Sequence, residues 1–139
     1  MYVVMAAPEC APVAKVGGLA DVVHGLSREL QAQGCQVEVI LPMYDCMRYD
    51  HIEGLERCYD ELWVPLHEQW LHCEVYSGRV DGLDCLFIKP LSEHRLFDRG
   101  VYYGHDDDAV RFGFFARAVL EFLYKSGRRP QIIHCHDWQ

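Results

Sequence analysis

The chain has no apolar run approaching the ~18 residues that a membrane-spanning helix needs, so no segment reads as a bilayer anchor. Its first residues show neither the basic n-region nor the cleavage site of a secretory signal. Positive charge is scarce: 13 Lys and Arg stand against 21 Asp and Glu, a formal net charge of −8. That balance argues against nucleic acid or an anionic membrane as the main partner, since both reward a basic surface. Paired cysteine spacing is missing as well. The seven cysteines (Cys10, Cys35, Cys46, Cys58, Cys73, Cys85 and Cys135) include no Cys-x-x-Cys. An odd number in apolar surroundings reads as free, mostly buried thiols of a reducing compartment, not as a disulfide framework or a closed zinc site. The expected location is the cytoplasm, or an organelle stroma if a transit peptide has been cut away.

What is present suffices for one domain. The chain has 139 residues, 50% of them hydrophobic and 24% charged, with no internal repeat and no low-complexity linker. It can therefore bury a substantial core. "YVVMAA" at 2–7 is a continuous apolar run, the pattern of a strand covered on both faces in a parallel sheet. From Gly18, Leu19, Val22, Val23, Leu26 and Leu30 recur at helical spacing, and Gly34 suits the left-handed C-terminal position. "CQVEVILP" at 35–42 is the next strand, so the N-terminal third predicts a βαβ unit with a right-handed crossover. "ELWVPL", "WLHCEVYSGRV" and "LDCLFIKP" alternate instead, with Asp81-Gly82 as a hairpin signal, and predict antiparallel or edge strands added to the parallel core. A second helix is expected from about Asp107 to Lys125, with Phe115, Ala118, Val119 and Phe122 as its apolar stripe. "QIIHC" gives a last buried strand. The fold class is α/β: a Rossmann-like open, mostly parallel sheet with helices on both faces and an added antiparallel hairpin.

The chemistry gathers at the carboxyl ends of the strands, where ligands bind in open α/β sheets. In "PECAPVAKVGGLADV", Gly17 and Gly18 lack the Cβ atoms that would hold an anion away from the backbone. Lys15 adds a full charge, and the helix start adds its dipole. This suits a diphosphate or a sugar phosphate, without the spacing of a Walker loop or of the dinucleotide fingerprint. The glycines could equally serve a tight turn beside a solvated lysine. At the other end, "HCHDWQ" puts His134 and His136 on one face and leaves Asp137 at the carboxyl edge, near the opening loop if the two strands are neighbours. Hydrogen bonding to a polar ligand fits this histidine pair better than a metal, for which no third ligand is evident. "HDDD" at 105–108 contains the Asp-x-Asp of metal-dependent sugar transferases, but its place at a helix start points to capping.

"APECAPVAKVGGLADVV", "VEVILPMYDCMRYD", "RFGFFARAVLEFL" and "IIHCHDWQ" together resemble the start of the ADP-glucose-using bacterial glycogen synthases and plant starch synthases. The form "KVGG", the "YDCM" segment and the cysteine of "HCHDWQ" are most similar to plant starch synthase classes three and four and their bacterial relatives. The resemblance runs over nearly the whole chain and is weakest over 53–100. It implies a GT-B architecture of two Rossmann-like domains and a retaining transfer of glucose from ADP-glucose to the non-reducing end of an α-1,4-glucan. No metal or other cofactor is implied. Lys15, Gly17 and Gly18 match the family's phosphate-contacting loop. Asp21 and Asp137 match polar residues facing the sugar and are the expected catalytic pair, with Glu9, Tyr103 and His136 as further substrate-binding candidates. The expected partners are thus ADP-glucose and the glucan acceptor, and residues 1–139 would be one partial N-terminal domain without turnover of its own. The alternative is a stand-alone glucan-binding or partner-docking module; an open reading frame running several hundred residues past Gln139 supports the enzyme, and a stop codon there supports the module.

Overall fold

The computed structural model describes all of residues 1–139. Its elements run β1 (Tyr2–Ala6), α1 (Gly18–Ala32), β2 (Gln36–Pro42), a 3-10 turn at Tyr49–His51, β3 (Glu53–Leu66), β4 (Gln69–Val80), β5 (Leu83–Pro90), α2 (Asp108–Lys125) and β6 (Ile132–Cys135). The six strands form one sheet in the order β3-β4-β5-β2-β1-β6. β5, β2, β1 and β6 are parallel neighbours, while β3 and β4 add antiparallel pairing beyond β5. "LDCLFIKP" is therefore the outermost strand of the parallel core, not only part of the antiparallel addition.

Local chemistry accounts for most of these elements. Asp81 (φ 49°) and Gly82 (φ 80°) both take left-handed backbone, the requirement of a two-residue turn that matches strand twist. Gly34 (φ 88°) ends α1, with its amide on the Gln31 carbonyl and that of Cys35 on the Leu30 carbonyl. The apolar stripe of α2 is buried as expected, and Arg111, Phe112, Phe114 and Leu123 are buried with it. On α1 the stripe is narrower than the sequence pattern: Ala20, Val23 and Ser27 are buried, whereas Val22 is exposed.

Strand order creates the site. β1, β2 and β5 step outward in one direction, and the connection through α2 then returns to the other side of β1. Right-handed crossovers therefore put α1 and α2 on opposite faces and make the β1–β6 gap the topological switch point. One expectation is corrected by the same topology. β6 is not buried: all four of its residues are exposed, because it is the outer strand next to β1. No helix is long and apolar enough to cross a membrane.

Candidate active site

The loop after β1 is held by the protein's own hydrogen bonds. Cys10 and Ala14 exchange backbone hydrogen bonds at 2.9 Å, and the Ala11 amide reaches the Ala20 carbonyl in the first turn of α1 at 3.0 Å. Tyr44 Oη donates to the Pro8 carbonyl (2.8 Å) and the Arg48 amide to that of Val13 (2.8 Å). Cys10, Val13 and Ala14 are fully buried beneath this frame. A loop so anchored can present Lys15 to Gly18 in one geometry.

Its outward side is open. Gly17 occupies the N-cap position of α1 but supplies no side-chain cap. Its amide donates to Glu9 Oε1 (3.1 Å), as does that of Val16 (2.6 Å). The next amides, of Gly18, Leu19 and Ala20, have no protein acceptor. A Cβ built on Gly17 or Gly18 would meet no protein atom within 4 Å, so both glycines border free space. Unpaired first-turn amides with room in front of them form an anion site.

Lys15 stands at the mouth of this site and is already paired. Its Nζ lies 2.9 and 2.8 Å from the two carboxylate oxygens of Asp21. Motif matching gives these two residues separate ligands; the structure joins them in one ion pair. With side chains 49% and 56% exposed, the pair contributes only about 0–1 kcal/mol, so an arriving anion can take the ammonium at small cost. An open groove of about 550 Å³ runs past Lys15 and Asp21 and is also lined by Arg48. Arg48 is a second cation that motif spacing did not single out, although it lies in the segment "YDCMRYD" whose strand-end position could have suggested it.

Glu9 faces inward. Only 4% exposed, it accepts the two loop amides on one oxygen and the Tyr103 hydroxyl on the other at 2.7 Å. Burial, and then this hydrogen bond to a carboxylate, push the Tyr103 hydroxyl well above the ordinary tyrosine range, with the charge of Asp137 adding to the effect. Asp137 lies two residues beyond the end of β6. It adopts left-handed backbone (φ 63°), and its Oδ1 accepts the Trp138 amide at 2.8 Å.

The histidines do share a face. His134 and His136 stack with ring centroids 4.2 Å apart and planes inclined by 13°. His136 is nearly buried, with Nε2 3.5 Å from Met5 Sδ. Burial, and then the neighbouring His134, lower its pKa, so it is neutral at pH 7. Of the aspartates at 106–108, Asp107 and Asp108 serve structure. Asp107 grips Arg99 through both oxygens (2.6 and 2.8 Å) and makes no cap bond, while Asp108 accepts the Gly104 and His105 amides and pairs with Arg111. The cysteines are all free, yet only Cys10, Cys73 and Cys85 are buried, fewer than expected.

A helix start left open at the switch point of a parallel sheet is the kind of place where phosphorylated ligands bind in open α/β folds. The family profile of the starch synthase catalytic domain matches residues 2–139, and the chain belongs to that family. It is 59% identical to Glycogen synthase 1 of Nitrosococcus oceani and 62% identical to Glycogen synthase 1 of Trichormus variabilis, in each case over all of this chain and 28% of the relative. It is 50% identical to Probable starch synthase 4, chloroplastic/amyloplastic, of Arabidopsis thaliana, over all of this chain and 13% of that protein. The solved catalytic domain of Starch Synthase IV from Arabidopsis thaliana, bound to ADP and acarbose, superposes with a TM-score of 0.96 at 48% identity, covering 99% of this chain and 28% of that one. The chain thus spans about 28% of the length of its bacterial relatives.

Proposed function

We propose that the polypeptide carrying this chain is a retaining glucosyltransferase that moves glucose from ADP-glucose to the non-reducing end of an α-1,4-glucan. In this reading residues 1–139 form part of the first of two Rossmann-like domains and one wall of the cleft between them. The observation that carries it is the open start of α1, where the Gly18, Leu19 and Ala20 amides have no protein acceptor. Support comes from the family, from relatives described as glycogen and starch synthases, and from a relative whose solved structure holds ADP and acarbose.

The residues take distinct parts in that reaction. The first-turn amides and Lys15 receive the diphosphate. Negative charge grows on the departing ADP in the transition state, so their attraction strengthens as the glycosidic bond breaks and contributes to rate. Lys15 must turn from Asp21 to do so, which leaves the Asp21 carboxylate free beside the sugar. Asp137, just past the end of β6, the strand beside β1, is the second carboxylate assigned to the sugar.

A transfer assay tests the proposal. The complete polypeptide should move labelled glucose from ADP-glucose onto glycogen, while residues 1–139 alone should stay at the blank. Absence of transfer by the complete polypeptide overturns the proposal. The binding-module alternative is not favoured, since all of this chain aligns within relatives described as synthases.

A further inference from the structure

We infer that Glu9 and Tyr103 act as a positioning clasp that sets the shape of the anion-binding loop from inside, rather than as ligand contacts. The inference rests on the function proposed above and assigns two residues within its site. Both Glu9 oxygens are occupied: Oε1 by the Val16 and Gly17 amides at 2.6 and 3.1 Å, Oε2 by Tyr103 Oη at 2.7 Å. No other acidic side chain bonds to this loop's backbone. By drawing the Val16 and Gly17 N–H groups inward, the carboxylate turns the next three amides of the helix start outward. The same bend leaves Lys15 at the mouth. A carboxylate in this place also divides the amides, some for itself and some for the ligand, so the ligand's anion and Glu9 do not compete.

Tyr103 holds the clasp because its own segment is fixed independently. Arg111 is fully buried and donates to the Leu96 and Tyr102 carbonyls, at 2.6 and 3.4 Å. Asp45 accepts the Gly100 amide at 3.0 Å. The Tyr103 ring packs on Phe112, with centroids 5.7 Å apart. The clasp therefore ties the loop after β1 to the start of α2 through one hydroxyl.

The test compares Tyr103→Phe, Glu9→Gln and the double variant in the complete polypeptide. Tyr103→Phe keeps the ring that packs on Phe112, and Glu9→Gln keeps the volume, so both should fold. Two readouts are used. Amide hydrogen exchange over residues 14–20, which needs no ligand, should quicken in each single variant. The donor KM for ADP-glucose should rise about tenfold, the scale of one lost charge-assisted hydrogen bond, while the glycogen KM stays as in the wild type. The double variant should be no worse than Glu9→Gln alone, because the two residues act as one unit. Unchanged exchange at 14–20 in Tyr103→Phe overturns the clasp, and so does full additivity in the double variant. If the wild type neither binds ADP nor transfers glucose, the proposed function fails, and the exchange readout still decides on the clasp.

Discussion

Replacing Arg111 with methionine tests how the segment that delivers Tyr103 is held. The Arg111 guanidinium is wholly buried between Phe97 and Phe112, 5.3 and 5.2 Å from the ring centroids. It pairs with Asp108 at 2.6 Å and donates to the carbonyls of Leu96 and Tyr102. Removing one partner of a buried pair costs about 3–5 kcal/mol, chiefly because the other charge is left unpaired. Asp108 keeps the Gly104 and His105 amides and is 17% exposed at its side chain, so the lower end, about 3 kcal/mol, applies. Amide hydrogen exchange over 97–103 in the complete polypeptide should then quicken on the order of 100-fold, at about 1.4 kcal/mol per tenfold. Arg111→Met combined with Asp108→Asn should recover much of the protection, since no unpaired charge remains. Protection unchanged within about threefold in the single variant would refute the buried-charge reasoning.

Two further outcomes are expected. Gly78→Ala should destabilise by about 1–3 kcal/mol through overpacking, because a Cβ there would lie 2.5 Å from Ile52 Cγ2; an unchanged denaturation midpoint would show that the Ile52 side chain, just before β3, moves aside at little cost. Alkaline pH should destabilise the fold. Burial pushes the Cys10 and Cys73 thiols up to about 12, whereas unfolded thiols titrate near ~8.5. A raised folded value means that the stabilisation is complete below the unfolded pKa and is lost as pH rises through about 12. Urea midpoints should therefore fall between pH 8 and pH 10, and Cys10→Ala together with Cys73→Ala should flatten that fall.

The parts of the site written in neighbouring residues were legible in the sequence. Gly17, Gly18 and Lys15 sit between a strand and a helix, and the meaning of that pattern is local. The resemblance assigned Glu9 and Tyr103 to the site but not to each other, because the bond between them spans 94 residues and depends on where the segment before α2 is pinned. The Lys15–Asp21 pair escaped for a related reason, since it forms only when the loop folds back across the helix entrance. Residues 53–60 were missed as strand because register shifts at Glu53/Glu56, Arg57/Tyr59 and Tyr59/Leu62 break the two-residue alternation. An apolar run at 131–135 predicted a strand correctly, but its burial depends on strand order, which such a run does not encode.

Calorimetric titration of the complete polypeptide with ADP-glucose, wild type against Lys15→Ala at fixed salt, tests the central claim most directly. If the opening loop receives the donor's diphosphate, the variant loses about 1.5–3 kcal/mol of binding free energy, the worth of a hydrogen bond to a charged group. Its melting temperature should stay near that of the wild type, since the exposed Lys15–Asp21 pair adds little to stability. Equal affinity in the two proteins, with equal turnover, would mean that the loop is only a turn and that the donor binds elsewhere.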